Sequence, residues 1–357
     1  MKNTNTHTLT ETQNPVFAKR IKLGIDVHAQ SYRVVRQMDN ATPQPAQKFT
    51  PKAFLLWAKK QLTQAEQVYS CYEAGPLGYG LHRALEAMGI HNVVVRPQNW
   101  DELHKGVKTD KTDALALVQR LDRYIQGNTK ALAIVRVPTP EQELARSQSR
   151  LREQLLSHRL RFEAQGRSLL LFNGIQTKGR WWQPSAWSLL QNQLAPALLE
   201  LLTTLRQLLL AVQAQLDAST KALEAAAKPQ VRGVGALTSQ VLEREIFDWH
   251  RFKNRREVAS LTGMCPGVRA SGTKTRSGPI TKHGNRRIRT ALIELAWRSL
   301  HFQPHYRPLQ RWLPVLTNPQ ASPGAKKKAI VAVGRRLAID LWRLNTGRTT
   351  PQKLGLN

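Results

Sequence analysis

The alternation of short strands and helices between residues 20 and 138 constrains the fold of this 357-residue chain most. Three strand-like runs, IKLGIDV, SYRVVRQ and AQKFT, are joined by short turn-like links, and this spacing predicts an antiparallel meander. A helical pattern (PKAFLLWAKKQL), a strand (QVYSCYEA), a helix (LGYGLHRALEAMG), a strand (HNVVVRP) and a helix (TDALALVQRLDRYI) follow. The predicted order is therefore βββαβαβα, an α/β domain over residues 20–138 after a disordered tail at 1–19.

Two much longer helical stretches occupy residues 139–227. They are rich in Leu, Gln, Arg and Ala, and their apolar residues recur at roughly heptad spacing. This pattern predicts an antiparallel helical hairpin or coiled coil. The connection contains Trp181, Trp182 and Trp187 beside basic residues. We expect these tryptophans to cap an apolar interface, with stacking on nucleic-acid bases as the alternative.

The remaining sequence predicts a mainly α-helical C-terminal domain over residues 228–346 and a short tail at 347–357. Gly233-Val234-Gly235 predicts a tight turn between helical segments, similar to a helix-hairpin-helix whose backbone amides face a phosphate. A basic helix, GAKKKAIVAVGRRLAIDLWRL, is predicted near the end of the domain.

The balance of charge indicates the partner. Lys and Arg number 54 against 24 Asp and Glu, a formal net charge of +30, which a small-molecule enzyme does not need. Nucleic acid is the expected partner, because neutralising phosphates releases counterions and drives binding. An anionic membrane surface would instead favour one basic amphipathic helix. We expect no apolar run to approach the roughly 18 residues of a membrane span, and only Cys71 and Cys265 are present. We therefore expect a soluble cytoplasmic protein without a membrane partner.

Four carboxylates in the first domain have positions that suit a metal site. Asp26 ends the first strand, Glu73 ends the fourth, and Asp110 and Asp113 lie three residues apart at the start of a helix. A divalent cation such as Mg²⁺ or Mn²⁺ needs oxygen ligands converging from several elements. Singly, Asp26 could cap a turn, Asp110 could cap its helix, and Glu73 could pair with a cation. Together they predict a metal site.

The run from Gly263 to Trp297 places Ser271 and Ser277, each followed by glycine, among many cations. No carboxylate occurs from Val258 to Ile293, as expected of a phosphate-binding segment. The serine could contact a phosphate or attack a phosphodiester. The residues predicted to bind nucleic acid are Arg269, Lys274, Arg276, Lys282, Arg286, Arg287 and Arg289. For the last three the alternative is a solvated helix face.

The motifs GIDVH, YEAG and KTDKTDAL, followed by GMCPGVRASG and GPITKHGNRRIRTALIELAW, resemble the IS110 family of insertion-sequence transposases. The resemblance runs from about Lys22 to Trp342. It implies a ribonuclease H-like domain of the Holliday-junction-resolvase (RuvC-like) type in which Asp26, Glu73, Asp110 and Asp113 are the metal-binding DEDD tetrad. It also implies that Ser271, rather than Ser277, is the nucleophile, with Ala270 where many relatives have a second serine.

The resemblance further implies the partners. These are donor and target DNA, a structured noncoding guide RNA from the element itself, and further copies of the chain. In the family a homo-oligomer, a dimer or a tetramer, forms composite active sites from the tetrad of one subunit and the serine of another. A bacterial, nucleoid-associated location follows. Two alternatives stay open at this point: a metal-dependent nuclease that resolves DNA junctions without the serine, and a non-catalytic nucleic-acid-binding scaffold.

Overall fold

The computed structural model describes residues 17–97, 110–228, 231–271 and 274–356, without the side chains at 110, 111, 269–271 and 274. Most of the expected N-terminal tail lies outside these residues. The chain divides into two compact units, Met1–Val137 and Pro138–Asn357.

The first unit is a five-stranded mixed sheet covered by helices on both faces. Its elements are β1 (Ala18–Val27), β2 (Tyr32–Met38), β3 (Gln47–Phe49), α1 (Pro51–Gln61), β4 (Ala65–Glu73), α2 (Gly80–Ala87), β5 (His91–Val95) and α3 (Asp110–Ile125). The strand order is β3-β2-β1-β4-β5, with β1 antiparallel to β2 and parallel to β4. The predicted order βββαβαβα is therefore confirmed.

Alternate residues of β1 belong to two different cores. Ile21, Leu23 and Ile25 pack in one cluster with Phe54 of α1 and Leu85 of α2. The opposite face is covered by α3, whose Ala114, Leu117, Val118 and Leu121 are buried there. Since side chains alternate along a strand, every second residue of β1 and β4 faces α3. This periodicity decides where the acidic residues project.

Strand β1 begins at Ala18, two residues before the expected domain boundary. The side chain of Asp39 explains the extra length, because its carboxylate accepts hydrogen bonds from the backbone amides of Lys19 at 3.2 Å and Arg20 at 2.7 Å. Ala18 itself donates from its backbone N to the carbonyl of Gln64.

The second unit is helical apart from one hairpin. Its elements are α4 (Pro140–Phe172), α5 (Pro184–Leu190), α6 (Pro196–Ala225), α7 (Ala236–Ile246), α8 (Arg255–Thr262), β6 (Pro266–Ser271), β7 (Lys274–Ile280), α9 (Arg286–Phe302), α10 (Arg307–Gln310), α11 (Leu313–Thr317), α12 (Pro323–Asn345) and α13 (Pro351–Leu354). The antiparallel hairpin β6–β7 was not expected from the sequence.

Helices α4 and α6 pack side by side in opposite directions. Arg152 of α4 bonds Thr220 of α6, and Arg159, one heptad later, bonds Gln213, one heptad earlier. Four leucines of α6, spaced seven residues apart, are buried at 5% exposure or less: Leu202, Leu209, Leu216 and Leu223. By length and composition alone α6 could also cross a membrane, contrary to the expectation that no apolar run approaches that length. Five leucines of α6 are buried in the protein, whereas Leu201, Leu208 and Leu210 are exposed.

The three tryptophans of the connection are buried at the end of this pair of helices. Trp181 is fully buried and packs where Gly166 leaves room, because a Cβ there would lie 2.0 Å from the indole. Its Nε1 donates to the backbone carbonyl of Glu163 at 2.9 Å. The indoles therefore seal an apolar interface, the first of the two interpretations considered.

The C-terminal part is organised around α9 and α12, which share the largest apolar cluster. The expected turn is present before α7, where Gly233 has φ of +88° and packs on Phe302 of α9. Residues 347–357 were predicted to form a tail. Leu354 and Leu356 of this segment are instead buried in the same cluster. Leu354 is the last residue of α13, and Leu356 follows it by two residues.

Candidate active site and nucleic-acid interface

Asp26 and Glu73 lie side by side at the carboxyl ends of two neighbouring parallel strands. The register pairs Gly24 with Cys71 and Ile25 with Tyr72, so Asp26 and Glu73 are the next residues on their strands. Glu73 is two residues beyond Cys71, which faces α3, and Asp26 is two residues beyond Gly24, which does the same. Both carboxylates therefore belong to the α3 face of the sheet.

Helix α3 runs antiparallel to β1 across this face. Lys22, near the middle of β1, forms an ion pair with Asp122 towards the end of the helix. At Gly24 the helix backbone approaches so closely that a Cβ would lie 2.3 Å from the carbonyl oxygen of Ala114. Continuing along β1 to Asp26 therefore leads towards the start of α3, where Asp110 and Asp113 are placed.

Three of the four carboxylates have described side chains, and all three are partly exposed to solvent. Asp26 and Asp113 are half-buried, as is Glu73, and the Asp26 carboxylate lies 3.1 Å from Nε2 of His28. Behind them, burial and then the negative charge of Glu73 raise the pKa of the Cys71 thiol. That thiol donates to the carbonyl of Leu117 at 3.5 Å. Cys71 is thus a packing residue, and the acids occupy the solvent end of the sheet.

The donor set is made of carboxylate oxygens, the ligands that Mg²⁺ and Mn²⁺ prefer. Among the described side chains, no three of His, Cys, Asp and Glu are close enough together to hold a metal ion. The side chain of Asp110 lies outside those described. Asp26 and Glu73 end neighbouring strands on the face that α3 covers, and their chemistry suits a divalent cation; a metal site formed by all four acids stays a prediction.

Ser271 ends strand β6 of the hairpin in the second unit. The register pairs Ser271 with Lys274, Ala270 with Thr275, Arg269 with Arg276 and Val268 with Ser277. Positions 269, 271, 274 and 276 therefore share one face of the hairpin, and position 277 belongs to the other. Gly272 and Thr273 lie outside the described residues. The register thus separates the two candidate serines, Ser271 and Ser277, onto opposite faces.

The residues after the hairpin fix it to the end of α8. The backbone N of Lys282, which has φ of +58°, donates to the carbonyl of Gly263 at 2.9 Å. A Cβ on Gly284 would lie 2.3 Å from the carbonyl oxygen of Leu261, so only glycine permits this approach. Asn285 then caps α9, because its Oδ1 accepts from the amide of Arg287 at 2.9 Å.

A buried carboxylate that was not predicted from the sequence stabilises the residue that caps α9. Glu245 of α7 is 4% exposed. It accepts two hydrogen bonds of 2.8 Å from Arg150 of α4 and one of 2.7 Å from the Asn285 side chain. Burial works to raise the pKa of Glu245, but the hydrogen bonds from Arg150 and Asn285 and the charges of Arg150 and Arg287 outweigh it, and the pKa is lowered. Glu245 therefore links the long helices to the cap of α9.

Of the seven basic residues predicted to bind nucleic acid, Arg269 and Lys274 have side chains outside those described, and the other five fall into two groups. Arg276, Lys282 and Arg286 are exposed. Arg287 instead forms an ion pair with Glu153 of α4, and Nη1 of Arg289 donates to the carbonyl of Thr262 at 3.0 Å. Glu153 is distant from Arg287 in the chain, so this ion pair could not be predicted from neighbouring residues in the sequence. Arg287 and Arg289 have structural partners, and nucleic-acid contact by any of the five stays a prediction.

Comparison with known proteins first places the chain among transposases. A family model described as "Transposase IS116/IS110/IS902 family" matches residues 229–310, from just before α7 to the end of α10. The relative "Putative transposase y4rJ" of Sinorhizobium fredii is 32% identical over 304 residues, which cover 77% of this chain and 76% of the relative.

More distant relatives agree over a similar length. The "Transposase for insertion sequence element IS1111A" of Coxiella burnetii is 26% identical over 75% of each chain. The "Transposase for insertion sequence element IS1533" of Leptospira borgpetersenii is 24% identical over 78% of this chain and 85% of the relative. The chain belongs to the IS116/IS110/IS902 family of transposases, and the predicted resemblance to the IS110 family is confirmed.

Proposed function

We propose that the protein excises and inserts its own insertion sequence through a covalent bond between Ser271 and a DNA phosphate. Membership of the transposase family supports DNA as the substrate. The single observation that carries the chemical proposal is the convergence of Asp26, Glu73 and the start of α3 at one end of the sheet. We also propose that the first unit is a ribonuclease H-like, Holliday-junction-resolvase-type domain, a proposal that the strand order β3-β2-β1-β4-β5 supports.

In the proposed reaction, the hydroxyl oxygen of Ser271 attacks the phosphorus of a phosphodiester. A bond from Oγ to phosphorus forms, and the bond from phosphorus to one sugar oxygen breaks. The serine proton passes through solvent, and the departing sugar oxygen leaves as a hydroxyl. In the second half, the sugar hydroxyl of another strand attacks the phosphoserine and restores Ser271. The number of phosphodiester bonds is unchanged, so strands are exchanged and rejoined without ATP.

Asp26, Glu73, Asp110 and Asp113 would hold Mg²⁺ or Mn²⁺. When bound, the cation supplies Lewis-acid stabilisation of charge on the phosphate. Arg276 and Lys282, which are exposed near the hairpin, would stabilise the same charge. In this proposal the face of the hairpin that carries positions 269, 271, 274 and 276 is the cationic face, whose Lys and Arg residues would bind the phosphate beside Ser271. Ser277 belongs to the other face by the same register.

The proposal extends to the partners. A structured noncoding RNA from the element would select donor and target DNA by base pairing, which leaves the protein to recognise backbone and shape. The net charge of +30 suits simultaneous binding of RNA and DNA backbones, which carry many phosphates. Subunits of a dimer or tetramer would combine the acids of one copy with Ser271 of another.

The experiment compares Ser271→Ala with Ser277→Ala in a recombination assay on plasmids carrying the element ends and a target. We expect Ser271→Ala to abolish recombination and Ser277→Ala to retain it, because only position 271 is on the cationic face. Asp26→Asn should also abolish recombination while nucleic-acid binding stays within about twofold of wild type. Full activity of the Ser271→Ala protein would refute the serine mechanism.

Two further outcomes separate the alternatives. A protein–DNA adduct that survives denaturation and is absent from Ser271→Ala excludes a nuclease that uses water. Cleaved DNA with free 5′-phosphate ends and no adduct would instead identify a junction-resolving endonuclease. A Glu73→Gln variant with every function unchanged would indicate a non-catalytic scaffold.

A further inference from the structure

A cleft between α8 and α12 is lined by four arginines. Arg255 and Arg256 begin α8, and Arg335 and Arg336 lie in the middle of α12. Ala332 and Ile339 complete the lining of a cavity of about 350 Å³. No carboxylate lines this cavity, which we call the arginine cleft. Four positive charges facing one small space repel one another unless an anion joins them.

The protein itself provides little neutralisation there. Arg336 donates from Nε to Asp340 at 2.9 Å, but Asp340 also accepts from Tyr306 and Arg343. In the part of the chain that the structure describes, the guanidinium groups of Arg255, Arg256 and Arg335 make no hydrogen bond or ion pair. The Nε of Arg335 is buried and has no hydrogen-bond partner. A buried donor of this kind is costly unless an acceptor is bound.

We propose that the arginine cleft binds a phosphate of a nucleic-acid backbone, as an anchor separate from the site of Ser271. Planar guanidinium groups bind phosphate oxygens through paired hydrogen bonds. The backbone amides at the start of α8 are not the binding groups, because Asn254 Oδ1 already accepts from those of Arg256 at 2.9 Å and Glu257 at 3.2 Å. The side chains would therefore bind the phosphate.

A second basic cavity indicates a polymer rather than a single free anion. Its charged lining residues are Arg307, Arg336, Arg343, Lys353 and Asp340, so it carries a net positive charge although Asp340 is bonded to Arg336 and Arg343. Arg336 belongs to both cavities. Arg336 and Arg343 are about two turns apart on α12, roughly 10 Å along the helix axis. Successive phosphates of one strand could occupy the two neighbouring cavities, whereas a single free anion would occupy only one of them.

The position of the cleft suits a role in the proposed reaction. This step of the inference therefore rests on the proposed function. Helix α8 has eight residues and is therefore about 12 Å long. Its first residues line the arginine cleft, and its last turn anchors the serine hairpin through Gly263 and Gly284. One short helix would thus connect a strand held in the cleft to the base of the serine hairpin.

The test uses the full chain with Arg255, Arg256 and Arg335 all changed to Gln. A matched control carries Lys59→Gln, Lys60→Gln and Arg123→Gln, three exposed cations of the first unit, and its net charge is lowered by the same amount. Arg336 is left unchanged because it bonds Asp340. Binding of fluorescent duplex DNA, and separately of single-stranded RNA, is measured by anisotropy over a series of salt concentrations.

The slope of log affinity against log salt becomes shallower by about 0.9 for each duplex phosphate that the protein no longer neutralises, and by about 0.7 for each phosphate of a single strand. We expect the slope of the cleft variant to be shallower by about 1 to 2, and the control to match wild type. A change with DNA alone or RNA alone identifies the strand held in the cleft. An unchanged slope with both, or a change equal to that of the control, would overturn the inference. Competition by polyglutamate as effective as that by nucleic acid would also overturn it, in favour of an acidic protein partner.

Two additional measurements keep the result interpretable. Arg335→Gln alone removes the buried donor with one substitution, so it reports on the cleft even if the triple variant unfolds. We expect the slope of log affinity against log salt for this variant to be shallower than that of wild type by about 0.5 to 1. Covalent adduct formation at saturating DNA reports on Ser271 separately. A wild-type protein without adduct would refute the serine mechanism and leave the slope comparison valid.

Discussion

Replacing Gly24 with Ala tests whether the close packing of α3 on β1 sets the acidic site. The new Cβ would lie 2.3 Å from the carbonyl oxygen of Ala114 and 2.5 Å from the backbone N of Val118. Both are backbone atoms of a helix, so no side chain can rotate away. Ordinary non-bonded contacts begin near 3.5 Å, and the helix must therefore retreat by roughly 1 Å.

That retreat gives the expected magnitude. A gap of 0.5–1 Å forfeits about a quarter to a half of each dispersion contact along the interface, and overpacking typically costs about 1–3 kcal/mol. We expect the upper part of this range, about 2–3 kcal/mol, because the obstacle is backbone. Local opening of β1 and α3 should then be about 30- to 140-fold more frequent. The same displacement moves Asp113 relative to Asp26, and a shift of about 1 Å at a reacting site can cost about 100-fold in rate.

Hydrogen exchange of the full-length protein, followed by mass spectrometry on peptides from β1 and α3, measures this opening directly. The matched control is Gly80→Ala at the first residue of α2, where no atom lies within 4 Å of the new Cβ. This control should be neutral or stabilising by up to about 1 kcal/mol. Equal exchange of the α3 peptides in Gly24→Ala and Gly80→Ala would refute the packing argument.

Two other substitutions test the second unit. Glu245→Gln should destabilise α7 and α9 by about 2–3 kcal/mol, because it weakens the buried pairing with Arg150. Since the folded pKa of Glu245 lies below the unfolded value near 4.3, its stabilisation is complete above that pH and is lost as pH falls through the folded pKa. Hydrogen exchange at pH 7 and in acid should therefore show a difference from wild type that shrinks in acid; a difference that grows would contradict the assignment. Gly166→Ala should displace Trp181 and raise its solvent accessibility to fluorescence quenchers, whereas Gly324→Ala, with no contact closer than 3.9 Å, should not.

The first unit could be predicted from sequence because its elements carry strong local signals. Apolar residues alternate along β1 and β4, and the helices begin at clear boundaries such as Thr50, whose hydroxyl caps α1. The places of Asp26 and Glu73 at strand ends followed from the same pattern. The register that sets them side by side could not be predicted, because it depends on which strands are neighbours in the sheet. The close approach of α3 to β1 could not be predicted either, because it is possible only where Gly24 has no side chain.

The second unit has weaker local signals where function is proposed. Strands β6 and β7 lack an alternating apolar pattern, and those of their side chains that the structure describes lie largely at the surface: Val268 is 63% exposed, and residues 275–279 are all exposed. Glu245 and Glu153 were missed for a different reason. Their partners Arg150 and Arg287 lie on other helices, and no local scan of charge can find an ion pair between residues about a hundred positions apart.

The basic run after the hairpin also shows how a motif can combine folding and chemistry. Gly284 is required for contact with the end of α8, Asn285 caps α9, and Arg289 bonds the carbonyl of Thr262. These residues are explained by packing whether or not the protein acts on a phosphate. Ser271 is described only by its backbone pairing with Lys274 at the end of β6. The chemical proposal therefore depends on Ser271 and the four acids, and mutations at Gly284 or Asn285 would abolish activity without testing it.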